Sequence, residues 1–390
     1  MKVRRMTDGV WWAGAIDWGR RLFDALIPLP EGTSYNAYII KGANQTALLD
    51  AVDPAMAGVL FEQLKDVPSL DYIISHHAEQ DHSGSIPSLL QKYPQAQVLA
   101  STQGRQYLID LLDLPPEKVR AVKDGETLSL GGKTLRFLTT PWVHWPDTMV
   151  TFLEEDRILF SCDFFGSHLA TSDLCVTDPG RVYQAAKLYY AQIMMPYAKQ
   201  AAKNIEKILP LNAAMIAPSH GPIFDQPSLI VEAWKEWTSA PPKNMAVIPF
   251  VSMHDSTRRM VEHLSGSLAD HGVKVERFDL THADLGRLAV ALLDARTLVL
   301  GTPAMLNGPH PLAVQAAYLA NVLKPKVRYL SAVGSYGWGI KALEGIPSLF
   351  PDLQAEVLPS VLCKGAPREA DFQAIDRLAE AIAEKHQSAG

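Results

Sequence analysis

Ser75-His76-His77-Ala78-Glu79-Gln80-Asp81-His82-Ser83-Gly84 follows directly on the apolar run Tyr72-Ile73-Ile74. Within six positions His77, Glu79, Asp81 and His82 offer two imidazoles and two carboxylates, and no apolar period of a helix or strand accounts for them. A polar surface turn is the plainer reading of such a stretch. Nitrogen and oxygen donors packed this densely, just past a buried strand, point instead to a metal site carried by loops on a rigid scaffold.

Three more donors stand in the same kind of place. His144 follows Thr139-Thr140-Pro141-Trp142-Val143, Asp163 follows Ile158-Leu159-Phe160, and His220 follows Met215-Ile216-Ala217-Pro218-Ser219. Singly, each reads equally well as a packed polar residue. Together, four histidines, two terminal carboxylates and Asp163, whose two oxygens can each face one ion, suffice for two adjacent metal sites. His76 and His168 are left as neighbours without a ligand role.

The surrounding pattern is strand-rich. Short apolar segments at residues 35–40, 46–49, 71–74 and 134–138 are punctuated by Asp124-Gly125 and Gly131-Gly132, while residues 57–64 and 179–191 have helical spacing. Pro241-Pro242 interrupts the chain, and a domain boundary is expected near residues 239–245, giving domains of 1–243 and 244–390. A length of 390 residues agrees with two cores. Beyond the boundary, strand patterns at 246–251, 273–278, 297–300, 327–333 and 355–358 alternate with helical patterns at 257–271, 311–321 and 371–385. That order predicts an α/β, doubly wound parallel sheet with a ligand beyond the carboxyl ends of its strands.

Three segments lie at those ends. Ser252-Met253-His254-Asp255-Ser256-Thr257 leads into a helix and has the hydroxyls and backbone N–H groups to cradle a phosphate, although a simple helix cap explains it too. Thr302-Pro303-Ala304-Met305-Leu306-Asn307-Gly308 and Ser335-Tyr336-Gly337-Trp338-Gly339 bring glycines for close backbone approach and aromatic rings for a planar ligand. The set suits FMN, whereas the Gly-x-Gly-x-x-Gly fingerprint of a dinucleotide site is absent.

The first half resembles the metallo-β-lactamase superfamily, and the whole chain resembles its flavodiiron branch, the A-type flavoproteins. Glu79 is the discriminating residue: hydrolases of the superfamily usually carry histidine there, and His77-Ala78-Glu79-Gln80-Asp81-His82 matches the flavodiiron pattern. The resemblance implies an αββα sandwich followed by a flavodoxin-like domain, two non-haem iron ions and FMN. It assigns His77, Glu79 and His144 to one iron, Asp81, His82 and His220 to the other, and Asp163 as the bridge. The implied activity is reduction of dioxygen to water, with reduction of nitric oxide to nitrous oxide and oxidation of reduced coenzyme F420 coupled to oxygen as alternatives. It further implies a head-to-tail homodimer or a dimer of dimers. The first flavin loop departs from the family, which usually has an aromatic residue and glycine where this chain has His254 and Asp255. Asp255 is expected to cap the helix and point away from the phosphate. The sequence carries no rubredoxin or flavin reductase extension, so a separate donor such as rubredoxin, a flavin reductase or reduced coenzyme F420 is expected.

Composition narrows the remaining classes. A net charge of −6 gives no general affinity for nucleic acid, and no apolar run reaches the roughly 20 residues of a membrane span. Residues 1–8 lead into no signal segment, so a soluble cytoplasmic protein is expected. Three dispersed cysteines, Cys162, Cys175 and Cys363, suit neither a disulfide scaffold nor an iron–sulfur cluster. A di-zinc hydrolase and a nonenzymatic electron-transfer or gas-sensing protein stay open as readings of another class.

Overall fold

The computed structural model describes residues 2–339 and 341–388. The chain forms two compact units, Met1–Tyr190 with Tyr197–Ser239, and Ala240–Gly390 with Ala191–Pro196.

In the first unit, seven strands run in the order Arg4–Thr7, Val10–Trp12, Tyr38–Lys41, Thr46–Leu49, Tyr72–Ile74, Gln97–Ser101 and Val119–Val122. From Thr46–Leu49 onward they are parallel, and helices Ala57–Gln63, Ile86–Lys92 and Thr102–Leu112 supply the crossovers that parallel pairing requires. A second sheet contains Thr127–Ser129, Thr134–Thr139, Met149–Leu153, Ile158–Cys162 and Met215–Pro218. Side chains alternate along these strands. Trp12, Ile40, Leu49 and Ile74 meet Phe137, Met149 and Phe160 between the sheets. Ile39, Leu48, Ile73 and Val98 face Leu60, Ile86 and Leu108 of the crossover helices instead. Against the second sheet, Asn204 and Lys207 of helix Ala198–Ile208 donate to the carbonyls of Pro141 and Thr139. Trp234 of helix Ser228–Ser239 packs edge-on to Phe164 and Phe165. The layers are helix, sheet, sheet, helix.

The second unit is a parallel sheet in the order Lys274–Asp279, Met245–Phe250, Thr297–Met305 and Tyr329–Tyr336, with Glu356–Val357 and Val361–Lys364 both beside the last. Helices Ser256–Asp270 and Glu369–Ser388 cover one face through Val261, Leu264, Ile375 and Ile382. Helices Leu285–Asp294 and Pro311–Leu323 cover the other through Leu288, Leu292, Ala316 and Ala320. This is the doubly wound order of flavodoxin-like folds.

Two strands run further than their sequence pattern implies. The segments expected to be loops from residues 301 and 334 begin inside the sheet, as far as Met305 and Tyr336. Gly301 and Gly334 therefore serve close packing within the sheet rather than loop mobility: a Cβ on Gly334 would lie 2.2 Å from the Thr302 carbonyl oxygen, and one on Gly301 2.6 Å from Phe250 Cβ. The true turn is Leu306-Asn307, with φ of 55° and 83°, which folds Gly308–Pro309 back onto Ala304 and Met305. Among the described residues, no helix is long and apolar enough to cross a membrane.

The helix Glu369–Ser388 is pinned near its end by a buried histidine. His386 Nδ1 donates to Asn244 Oδ1 and its Nε2 accepts from Thr297 Oγ1, both at 2.7 Å, while Arg296 donates to the His386 carbonyl. Burial, reinforced by the Arg296 charge, pushes the imidazole down to about 4. A depressed histidine stabilises the fold fully above its unfolded value of about 6.5, and that stabilisation is lost as pH falls toward the folded value. The urea midpoint, followed by far-ultraviolet circular dichroism, should therefore fall between pH 6.5 and 4, and His386→Gln should flatten that slope. An equal slope in the variant would show that other groups carry it.

Candidate functional site

The donor-bearing loops hang on one carboxylate that the sequence did not single out. Asp50 follows strand Thr46–Leu49 with φ of 53°, and its amide donates to the Ile74 carbonyl at 2.8 Å. Its Oδ1 accepts from the His76 amide at 2.9 Å. Its Oδ2 accepts from His76 Nδ1 at 2.7 Å and from Ser219 Oγ at 3.1 Å. The loop that begins at Ser75 and the loop carrying His220 are thus fastened to one point. His76 spends its other nitrogen on Thr151 Oγ1 at 2.7 Å, so both nitrogens of this imidazole are taken.

Each donor leaves a strand end. Those of residues 77–82 follow Tyr72–Ile74, His144 lies beyond Thr134–Thr139, Asp163 directly follows Ile158–Cys162, and His220 lies just past Met215–Pro218. Asp163 is turned inward by a sharp bend with positive φ at Cys162 and Phe165, locked by Ser161 Oγ donating to the Phe164 carbonyl and by the Ser219 amide donating to that of Cys162.

The side chains converge as two sets. His77 Nε2 and His144 Nε2 lie 3.0 and 3.1 Å from Glu79 Oε2. His82 Nε2 and His220 Nε2 lie 3.3 and 3.2 Å from the two oxygens of Asp81. Asp163 stands between them: its Oδ2 is 3.4 Å from His77 and 3.3 Å from His144, and its Oδ1 is 3.0 Å from His82 and 3.3 Å from His220. One carboxylate oxygen faces each set.

These contacts do not satisfy the atoms that make them. Both oxygens of Asp81, Asp163 Oδ1 and His82 Nε2 are buried without an aligned hydrogen-bond partner despite neighbours near 3 Å. Atoms this close yet misaligned face a shared centre rather than one another, and leaving them unpaired in the interior is costly. Cations at two such centres would satisfy them, so the donor sets fit a di-iron site.

The electrostatics agree. Burial disfavours ionised Glu79 and Asp163, yet the imidazoles around them hold both below the usual carboxylate range. Burial also pushes the imidazoles down, but the carboxylates outweigh it and raise His144 to about 9 and His220 to about 10, with His77 and His82 raised as well. Three carboxylates among neutral imidazoles attract positive charge, whether protons or metal. His168 behaves oppositely: burial and the neighbouring His220 keep it well below its ordinary value, and its Nδ1 pairs with Thr33 Oγ1 at 2.9 Å. The least buried of these side chains are His144 and Glu79, at 14% and 11%, which marks the side open to a small molecule.

In the second unit, Ser252 lies just beyond the strand Met245–Phe250, and Thr302 and Ser335 lie within the last four residues of the next two parallel strands in the sheet. Thr257 Oγ1 is 3.4 Å from Ser335 Oγ, Thr302 Oγ1 accepts from the His310 amide, and Ala304, Leu306, Asn307, Gly337 and Trp338 line one hollow. Leu306 and Trp338 are 81% and 78% exposed, an unusual expense of apolar surface that a flat aromatic ligand would cover. Ser252 Oγ accepts from the Arg258 amide in the first turn of helix Ser256–Asp270. Asp255 does not cap that helix as expected. It occupies the cap position with φ of 60° and makes no side-chain cap bond, because its carboxylate accepts instead from Arg258 Nε at 3.3 Å. Arg258 also donates to Asp279, so it offsets two carboxylates beside the candidate phosphate position.

A family model described as "ODP family beta lactamase" matches residues 33–221. The chain is 34% identical to a nitric oxide reductase of Moorella thermoacetica over 97% of both chains. Among solved structures, rubredoxin oxygen:oxidoreductase from Desulfovibrio gigas superposes with a TM-score of 0.93 at 30% identity, covering 99% of each chain. A variant of the flavo di-iron protein from Thermotoga maritima gives 0.89 at 25% identity over 98% of each. Similarity at this level runs through the flavin-type unit as well as the β-lactamase-like one, and the chain belongs to the flavodiiron family, the A-type flavoproteins.

Proposed function

We propose that this chain reduces dioxygen to water, taking electrons through FMN held by residues 244–390 and delivering them to two irons held by residues 1–243. The observation that carries this reading is the division of Asp163 between two donor sets, one of which contains Glu79. Anionic oxygen ligands suit an ion that must reach the ferric state. His77, Glu79 and His144 would hold one iron, Asp81, His82 and His220 the other, with Asp163 shared. Ser252 to Thr257 would hold the FMN phosphate, and Thr302 to Gly308 with Ser335 to Gly339 would flank its ring. When bound, the flavin and the irons supply the redox chemistry. The protein's own residues do the rest. His220 Nδ1 donates to the Ser34 carbonyl at 2.6 Å, which turns Nε2 inward as a lone-pair donor. Buried Tyr189 donates to the Asp163 carbonyl at 3.2 Å and packs edge-on against His168, closing the rear of the site to water.

The Moorella relative favours a second reading, reduction of nitric oxide at the same centre. Steady-state assays of the reduced protein with each gas decide between them: the higher kcat/KM should belong to oxygen, and a higher value for nitric oxide reverses the assignment. The name of the Desulfovibrio structure supports rubredoxin as the separate donor.

Glu79→Ala should leave FMN bound and the second donor set filled while iron falls from two to about one per chain. Turnover should drop by more than the roughly 10–100-fold typical of losing a group that merely supports a ligand. Metal analysis that finds two irons in the variant, with normal turnover, would remove Glu79 from the site.

We further infer a head-to-tail homodimer or dimer of dimers, FMN of one chain serving the irons of its partner, since two-fold closure is the common solution for soluble oligomers. Mixing a chain substituted at His82 and His220 with one substituted at Ser252, Thr257 and Trp338 should restore activity that neither has alone. Verified mixed dimers that stay inactive would exclude transfer between chains.

A further inference from the structure

Asp147 is 2% exposed and is held on both sides. Its Oδ2 accepts from the Ala78 amide at 2.9 Å, and its carbonyl accepts from Ser101 Oγ at 2.7 Å. A Cβ on Gly104 would come within 3.3 Å of Oδ2, so the carboxylate has little room to move that way. Its Oδ1 faces His77 Nδ1 at 3.5 Å, and these two fully buried atoms have no other hydrogen-bond partner. Trp145 lies edge-on to the His77 ring, with centroids 4.9 Å apart, and limits its rotation.

We propose that Asp147 is a positioning residue for the metal centre: its carboxylate accepts a hydrogen bond from His77 Nδ1–H, which keeps the ring proton on Nδ1 and thereby presents Nε2, the nitrogen facing Glu79 and Asp163, as a lone-pair donor. A neutral imidazole carries one proton, and the nitrogen that holds it cannot ligate. Two partnerless buried atoms at 3.5 Å need close by only a few tenths of an ångström to become a hydrogen bond that removes the penalty on both. His220 is oriented by a neutral carbonyl, whereas His77 is oriented by a carboxylate, which makes the imidazole a stronger donor. His77 and His220 therefore differ in what orients them, and the contact with Asp147 strengthens a ligand of the ion at His77, Glu79 and His144. The proposal rests on the di-iron reading above.

Asp147→Asn tests it with little change of shape. The amide oxygen can still accept from Ala78, which turns the NH2 group toward His77 Nδ1. That nitrogen must then accept, the ring proton moves to Nε2, and the ligand is in the wrong tautomer. Anaerobic reconstitution with ferrous ion followed by chelator competition should show one iron bound roughly 10–100-fold more weakly, while the other iron, FMN content and the circular dichroism spectrum stay at wild-type values. Ser101→Ala, which loosens the same loop and leaves the carboxylate alone, should keep two tight irons. An Asn variant that binds both irons as tightly as the wild type overturns the proposal, and so does a Ser101→Ala variant with equal iron loss. If Asp147→Asn does not fold, Asp147→Ser takes its place: added formate, which can enter from the open cleft lined by Ser101, Thr102 and Thr148, should restore the second iron. A folded Ser variant that holds two irons without formate, or is not restored by it, refutes the role. Wild-type protein that takes up no iron would defeat the di-iron reading itself, a separate outcome.

Discussion

The buried hydrogen bonds of Asp50 to His76 set the position of everything that follows. Asp50 is buried, and it reaches the loop before His77 through an amide and an imidazole and the loop before His220 through Ser219. Removing one partner of such a buried pair leaves the other without its hydrogen bonds, at a cost of about 1–3 kcal/mol. The arrangement also explains why two adjacent histidines have different work. His76 turns toward Asp50 and Thr151 and becomes part of the scaffold, and His77 turns toward Glu79 and Asp163.

Both units use the same device. Parallel strands need crossovers that return the chain to its starting end, so successive loops emerge together at the carboxyl edge of the sheet. In the second unit this gathers Ser252, Thr302 and Ser335. In the first, Ile158–Cys162 and Met215–Pro218 are a parallel pair, which places Asp163 and His220 at the same edge although 57 positions separate them in sequence.

The donors were legible because they are dense, polar and unexplained by any apolar period, and because each follows a strand. What orients them was not. Asp50, Asp147, Thr33 and Ser34 are residue types common in every turn, and only the fold shows that Ser34 meets a histidine 186 positions away. The flavin half shows a different failure. Gly301 and Gly334 were visible as glycines, but the reason for them is a neighbouring strand that sequence does not display. Asp255 stood where a cap belongs, yet a guanidinium three residues on competes successfully for its carboxylate. The strand Val361–Lys364 has no counterpart in the sequence pattern, where 355–358 is the last strand expected.

The four strand ends that supply the donors span residues 77 to 220, and none of the chain's three cysteines is paired in the structure. Two bound ions would accordingly act as a staple, joining four distant segments in the way a set of cross-links does. Ligands scattered this widely cannot be gathered by an unfolded chain, so the free energy of metal binding adds directly to the free energy of folding. The resistance of the first unit to proteolysis should then rise with the iron it holds, because each bound ion would stabilise the fold that gathers its ligands.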